Sequence, residues 1–214
     1  MEMEYTDRFE KGDLSRVKAS ESGSLDALSP GVGLIYELAD AWSVFGGYYR
    51  GISTPAPREF LQAGADLEKT NGYELALRHY GRSVQAELVG FYTDFNNLIV
   101  RDNIGGAGNT DDFNAGSAEV YGAEFAVRWD ALATSNSDWR LPLRGSLTYT
   151  HAEMTSNTAS ADATSIFSGG GAGSWLPYIP EWTASAGVGV EYRNLGLYLD
   201  ATYISDMYGT ALNT

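Results

Sequence analysis

Asn114-Ala115-Gly116-Ser117-Ala118-Glu119-Val120-Tyr121-Gly122-Ala123-Glu124-Phe125-Ala126-Val127-Arg128-Trp129 alternates without a slip from Tyr121 onward. Tyr121, Ala123, Phe125, Val127 and Trp129 fall on one side, with Gly122, Glu124, Ala126 and Arg128 on the other. A β-strand sends successive side chains to opposite faces, so this stretch belongs to a sheet with one apolar face and one charged face. A soluble sandwich and a membrane barrel both use that pattern. The flanking sequence must separate them.

Upstream, Val84, Ala86 and Leu88 oppose Gln85 and Glu87. Before them Tyr73, Leu75, Leu77 and His79 oppose Glu74, Ala76 and Arg78, with a tight turn at Tyr80-Gly81-Arg82. Val32, Leu34, Tyr36 and Leu38 then Trp42, Val44, Gly46 and Tyr48 make an earlier pair around Asp40. The pattern blurs at Phe91-Tyr92-Thr93-Asp94-Phe95, where aromatics occupy both faces. Downstream, Leu143, Gly145, Leu147 and Tyr149 oppose Arg144, Ser146, Thr148 and Thr150. Ala184 to Val190 and Leu195 to Tyr203 complete the series around a hairpin turn at Arg193-Asn194. Residues 2–10 alternate poorly, and Lys11 to Ser29 reads as a polar loop.

The connections run short, long, short, long. Ser53–Leu67, whose Pro55 and Pro57 exclude a central strand, 101–114 and 155–177 are the long ones. Outer-membrane barrels pair short periplasmic turns with longer external loops in this order, whereas sandwiches mix loop lengths. Trp42, Tyr80, Trp129, Trp139 and Tyr192 sit beside short turns. Tyr48, Tyr49, Tyr92, Tyr149, Trp182 and Tyr203 lie near the long loops, as two membrane–water interfaces would select.

Composition bounds the rest. The 214 residues suffice for one domain, with 14 Tyr and 25 Gly and only 43% hydrophobic residues, which suits a barrel with a wet interior. A net charge of −14 excludes nucleic acid as the expected partner. With no cysteine, a disulfide framework and a Cys-based zinc site are both excluded. Met1 to Arg8 is no secretory signal, and no apolar run is long enough for a transmembrane helix.

With the strands in place, several passages resemble one family, the TonB-dependent outer-membrane receptors of ferric-citrate and siderophore type. They are Tyr48-Tyr49-Arg50-Gly51-Ile52-Ser53-Thr54-Pro55-Ala56-Pro57, Glu68-Lys69-Thr70-Asn71-Gly72-Tyr73-Glu74-Leu75-Ala76-Leu77-Arg78 and Gly90-Phe91-Tyr92-Thr93-Asp94-Phe95-Asn96-Asn97-Leu98-Ile99. Glu119-Val120-Tyr121-Gly122-Ala123-Glu124 and Leu176-Pro177-Tyr178-Ile179-Pro180-Glu181-Trp182 complete the set. The resemblance implies an all-β, antiparallel transmembrane barrel, of which residues 1–214 supply about nine up-and-down strands of roughly 22. It also implies a plug domain, a TonB partner acting through it, further C-terminal strands and a Gram-negative outer membrane. The plug and those strands are expected to be absent from this chain. A ferric chelate or similar nutrient is the implied cargo.

No enzyme constellation emerges. His79 and His151 fall on the expected lipid side near strand ends, without the partners of a Ser-His-Asp arrangement. Gly169-Gly170-Gly171-Ala172-Gly173 reads as a flexible loop tip rather than a phosphate cradle, and Asp111-Asp112 lacks the ligand count calcium wants. No cofactor or metal site is expected. Charge on a lipid face costs up to about 2–4 kcal/mol at midplane, so Glu37, Glu74, Arg78, Glu87, Glu124, Arg128, Arg144, Glu191 and Asp200 are expected to line the lumen. Arg58 and Arg101, in the external loops, are the candidate ligand contacts, an Arg fork suiting a carboxylate-rich chelate. Two other readings stay open, a complete small outer-membrane barrel acting as adhesin or structural protein, and a soluble β-sandwich binding module.

Overall fold

The computed structural model describes residues 2–7, 19–55, 65–101, 112–157 and 165–213. Its strands are β1 (Glu2–Asp7), β2 (Ala19–Ser24), β3 (Gly31–Ala39), β4 (Trp42–Ser53), β5 (Glu68–Tyr80), β6 (Val84–Asn96) and β7 (Ile99–Arg101). β8 (Asp112–Asn114), β9 (Ala118–Asp130), β10 (Trp139–Arg140), β11 (Pro142–Met154), β12 (Trp182–Tyr192) and β13 (Leu195–Ile204) follow. One large sheet runs β3-β4-β5-β6-β9-β11-β12-β13, every pairing antiparallel, with the short β10 also on β12. Strands adjacent in the sheet follow one another along the chain, so the fold is an up-and-down meander. β3 and β13 lie at its two ends without pairing to each other, and the barrel is open among the described residues.

Two small hairpins stand apart from that sheet, β1 with β2 and β7 with β8. The first corrects the expectation of a continuous loop over Lys11–Ser29, because Ala19–Ser24 is a strand there. Ser20-Glu21-Ser22-Gly23-Ser24 holds no apolar residue, so no period-2 signal marks it.

In-register partners across antiparallel strands share a face, so the pairing sorts every residue of the sheet. One face carries Phe45, Glu74, Arg78, Glu87, Glu124, Arg128, Arg144, Ser146, Ser185, Asp200 and Thr202. The other carries Leu34, Val44, Leu75, Leu77, Leu88, Phe125, Val127, Leu147, Val188, Leu197 and Leu199. Much of this face stands open among the described residues: Leu34 is 76% exposed, Leu75 64%, Leu195 76% and Leu199 71%. At about 25 cal/mol per Å² of apolar surface, such a face is stable only against an apolar solvent.

Near the long-loop end the two faces exchange character. On the apolar face a row of rings, Tyr48, Tyr73, Tyr92, Tyr121, His151 and Trp175, crosses the sheet with successive centroids 5.2, 6.3, 6.5, 4.8 and 4.4 Å apart. Immediately beyond it the same face carries Asp94, Glu119 and Glu153, in register on β6, β9 and β11. On the opposite face Phe95, Ala118, Val120, Ala152 and Met154 take over from the charged residues. There lies the buried core: Ala115, Ala118, Ala152, Met154, Phe167, Leu176 and Ala211, with Phe95, Leu98 and Val120 packed against it. This exchange explains the blurred pattern at Phe91–Phe95.

The segment 165–179 covers that core and is fastened to it. Met154 N donates to Ser174 O at 2.8 Å and Leu176 N to Ala152 O at 2.9 Å. Ala211 N reaches Ile166 O at 2.7 Å, and the Asn213 amide bonds Trp175 N and O at 3.1 and 3.2 Å. The glycine run is therefore no flexible tip. Gly170 is buried, and a Cβ there would lie 2.6 Å from the Ala211 methyl.

Candidate functional site

The charged face is built by the period of the strands, and its partners are chosen by register. β5 and β6 set Arg78 directly opposite Glu87, and the two form an ion pair, each about one-third exposed. The Arg78 guanidinium also stands 5.6 Å above the Phe45 ring. Glu74 and Glu124 line the same cleft, of about 380 Å³, together with Tyr49 and Glu87. Among the described residues neither Glu74 nor Glu124 has an ion-pair partner. Two carboxylates thus face this cleft beside one neutralised pair.

A second group forms nearer the short turns. Arg144 and Arg128 are opposed in register, a like-charge contact that costs energy unless one is drawn away. Arg144 reaches instead across β12 to Asp200 on β13, with Nε 2.8 Å and Nη2 2.6 Å from its carboxylate oxygens. The residue between them is Gly187, in register with both. A Cβ at Gly187 would lie 2.6 Å from Arg144 Nε and closer still to Asp200 Oδ1, so the absent side chain opens the path for this pair. Arg128 is left with no ion pair among the described residues.

Arg140 bridges Asp130 at 3.0 Å and Glu191 at 3.3 Å, and the Tyr198 hydroxyl donates to Glu191 at 2.6 Å. Arg82, Arg128, Arg140 and Arg144 gather around an open cleft of about 820 Å³ between the 131–139 connection and the sheet. Arg140, Asp130 and Tyr198 were not legible as site residues. Arg140 lies on the two-residue β10, outside any alternating run, and Tyr198 reads in sequence as one more aromatic.

The remaining candidates are placed as follows. Arg58 lies outside the described residues. Arg101 ends β7, its backbone paired with Asp112, and its side chain is outside the described set. His79 lies tilted against Trp42 at 4.5 Å and His151 lies between Tyr121 and Trp175 at 4.8 and 4.4 Å, all on the apolar face. Tyr49 and Tyr80 depart from the expected aromatic belts: Tyr49 lines the charged-face cleft and Tyr80 sits opposite Gln85. Among the described residues no group of His, Asp or Glu is arranged to hold a metal ion.

Comparison with known proteins fits this geometry. A family profile described as TonB dependent receptor-like, beta-barrel, matches residues 3–214. No curated protein matches the chain in sequence. Among solved structures, the ferric citrate transporter FecA in unliganded form superposes with a TM-score of 0.70 at 21% identity, covering 92% of this chain and 28% of that one. The ferric yersiniabactin uptake receptor FyuA from Yersinia pestis gives 0.65 at 20%, covering 92% and 29%. The copper transporter OprC gives 0.62 at 16%, covering 89% and 27%. The chain therefore spans little more than a quarter of the solved proteins it resembles, and identities this low speak for the fold.

Proposed function

We propose a role for this chain from one premise: it belongs to the TonB-dependent receptor β-barrel family, whose members are outer-membrane receptors and transporters of Gram-negative bacteria and not enzymes. In our reading the apolar face meets lipid and the charged face meets the lumen. Further strands extend the sheet from β3 and β13, whose apolar side chains stand unpartnered at its two ends, and a plug domain fills the interior.

The cargo we assign is a ferric chelate, a siderophore or ferric citrate. The observation that supports it is the likeness to FecA over 92% of this chain. External loops would capture the chelate, with Arg58 and Arg101 as forks for its carboxylates, and TonB would then act on the plug to release it inward. Glu74, Glu124 and Arg128, without an ion pair among the described residues, are the wall groups we assign to the plug or to the passing solute. The fold alone does not choose a cargo, since the copper transporter OprC shares it.

Growth under iron limitation tests this reading. A strain deleted for the receptor should regain growth on ferric citrate or a siderophore when the full protein is restored, and only while TonB is present. Restored growth without TonB, or rescue by a nutrient free of iron alone, would remove the ferric-chelate assignment.

A further inference from the structure

At the external ends of β11, β12 and β13, Trp175, Ile179, Glu181, Asp206, Met207 and Tyr208 line a cleft of about 290 Å³. The Trp175 and Tyr208 ring centroids are 6.4 Å apart and their planes meet at 56°, so the rings form two walls of a corner. A cation lodged in such a corner lies within about 6 Å of both ring centroids, the range over which a ring quadrupole attracts it. Met207 and Ile179 add apolar, polarizable contact.

The cleft also carries uncompensated negative charge. Among the described residues neither Glu181 nor Asp206 takes part in an ion pair. Among the described residues the hydrogen bonds at both run to their backbone carbonyls, from Thr150 N at 2.9 Å and from Ser205 Oγ at 3.1 Å. Asp94, Glu119 and Glu153 extend the acidic character along the neighbouring strand ends, and Trp175 bridges directly to Glu153. That field would concentrate cations at the mouth.

The walls are held before any ligand arrives. Trp175 rests edge-on against His151 at 4.4 Å and is bonded on both backbone groups by Asn213, while the Tyr208 carbonyl accepts from Tyr178 N at 2.8 Å. Preorganised walls lower the cost of ordering on binding. A bare metal ion asks for several converging oxygens, which this cleft lacks, whereas aromatic and thioether walls beside carboxylates suit a bulky, weakly hydrated cation.

We infer that this cleft binds an organic ammonium group, quaternary or N-methylated, at the external mouth. The group can come from a free solute or from a lipid headgroup. The inference stands independently of the ferric-chelate reading, and failure of the iron-limited growth assay leaves it untouched.

Choline, titrated against the full-length protein in detergent and followed by tryptophan fluorescence, is the direct probe. Saturable binding is expected. The neutral carbon isostere, with a tert-butyl group in place of trimethylammonium, should bind at least about tenfold more weakly. The double variant Glu181→Gln/Asp206→Asn should weaken choline by about tenfold, Tyr208→Leu similarly, and Tyr208→Phe little. Comparing Leu with Phe at 208, each checked for heat-modifiable mobility, separates loss of the ring from loss of the fold. Displacement of choline by vesicles of phosphatidylcholine but not of phosphatidylglycerol would identify a headgroup, and displacement by neither a free solute. Equal binding of choline and its isostere, or a titration unmoved by the double variant, would overturn the inference.

Discussion

On β9, Tyr121–Trp129 and the preceding Ala118-Glu119-Val120 obey one alternation and bury opposite faces. In the first region Phe125 and Val127 lie on the apolar face, while Glu124 and Arg128 lie opposite. In the second Ala118 and Val120 pack into the buried core under 165–179, while Glu119 faces outward beside Asp94 and Glu153. The row of rings through Tyr92 and Tyr121 marks the change. Periodicity reports that a segment is a strand. Which face is buried depends on the solvent at that height; in the proposed barrel that is lipid on one side of the aromatic row and water with a folded loop on the other.

The comparison breaks most visibly in the middle of the spanning region. Phe125 lies halfway between Tyr121 and Trp129 on the apolar face, and Ala126 follows it on the charged face, in register with Glu87 and Ser146. Phe125→Arg should cost about 2–4 kcal/mol and block insertion, because a cation would enter the hydrocarbon midplane. Ala126→Arg should insert with near-normal yield beside Glu87. Folding into vesicles, read by heat-modifiable gel mobility, checks both. Equal yields from the two variants would end the two-solvent account.

The wall strands, their turns and both faces could be read from the sequence because a period of two survives wherever each face has one solvent. The Arg78–Glu87 pair was within reach as two charges on one face, though not as partners, since register depends on turn length. The buried core was not within reach. Phe167, Leu176 and Ala211 are scattered through Ser-, Gly- and Ala-rich sequence that carries no period, and only the folded loop brings them onto Met154. Arg144 with Asp200 was likewise hidden, because the contact skips a strand and depends on the vacancy at Gly187.

Met154 sharpens the comparison from the other region. It ends the wall strand β11 and is fully buried there beneath a loop, so Met154→Ala should cost about 2 kcal/mol, the low end for such a truncation because the loop can settle. The loss should loosen 165–179 alone. Limited proteolysis is expected to cut that segment in a barrel that remains heat-modifiable. If cutting and loss of the barrel occur together, wall and extension form one cooperative unit.

A smaller effect separates the faces within β12. Gly187→Val places a branched side chain between Arg144 and Asp200, and over-packing there should cost about 1 kcal/mol while parting the ion pair. Ala186→Val, one residue away on the exposed apolar face, should shift the melting temperature hardly at all. A thermal melt in detergent distinguishes them. The reverse order would mean that the Arg144–Asp200 contact does not organise this part of the wall.

The least change is expected at the short-turn end, where stability is local. Arg193 occupies the first central position of the β12–β13 hairpin with φ of 51°, a left-handed conformation for which glycine is better suited. Its side chain is held by Asp138 at 3.0 Å and lies 5.1 Å from the Tyr192 ring centroid. An exposed ion pair and an exposed cation–π contact each contribute little, about 0.5–1 kcal/mol at most. Relief of the left-handed strain is worth about 1 kcal/mol in the opposite sense. Arg193→Gly should therefore leave barrel stability within about 0.5 kcal/mol of the parent by the same melt. A loss well beyond that would mean that Asp138 and Tyr192 anchor the turn through Arg193, giving the short-turn end a tertiary fastening comparable to the one the external loop has through Met154.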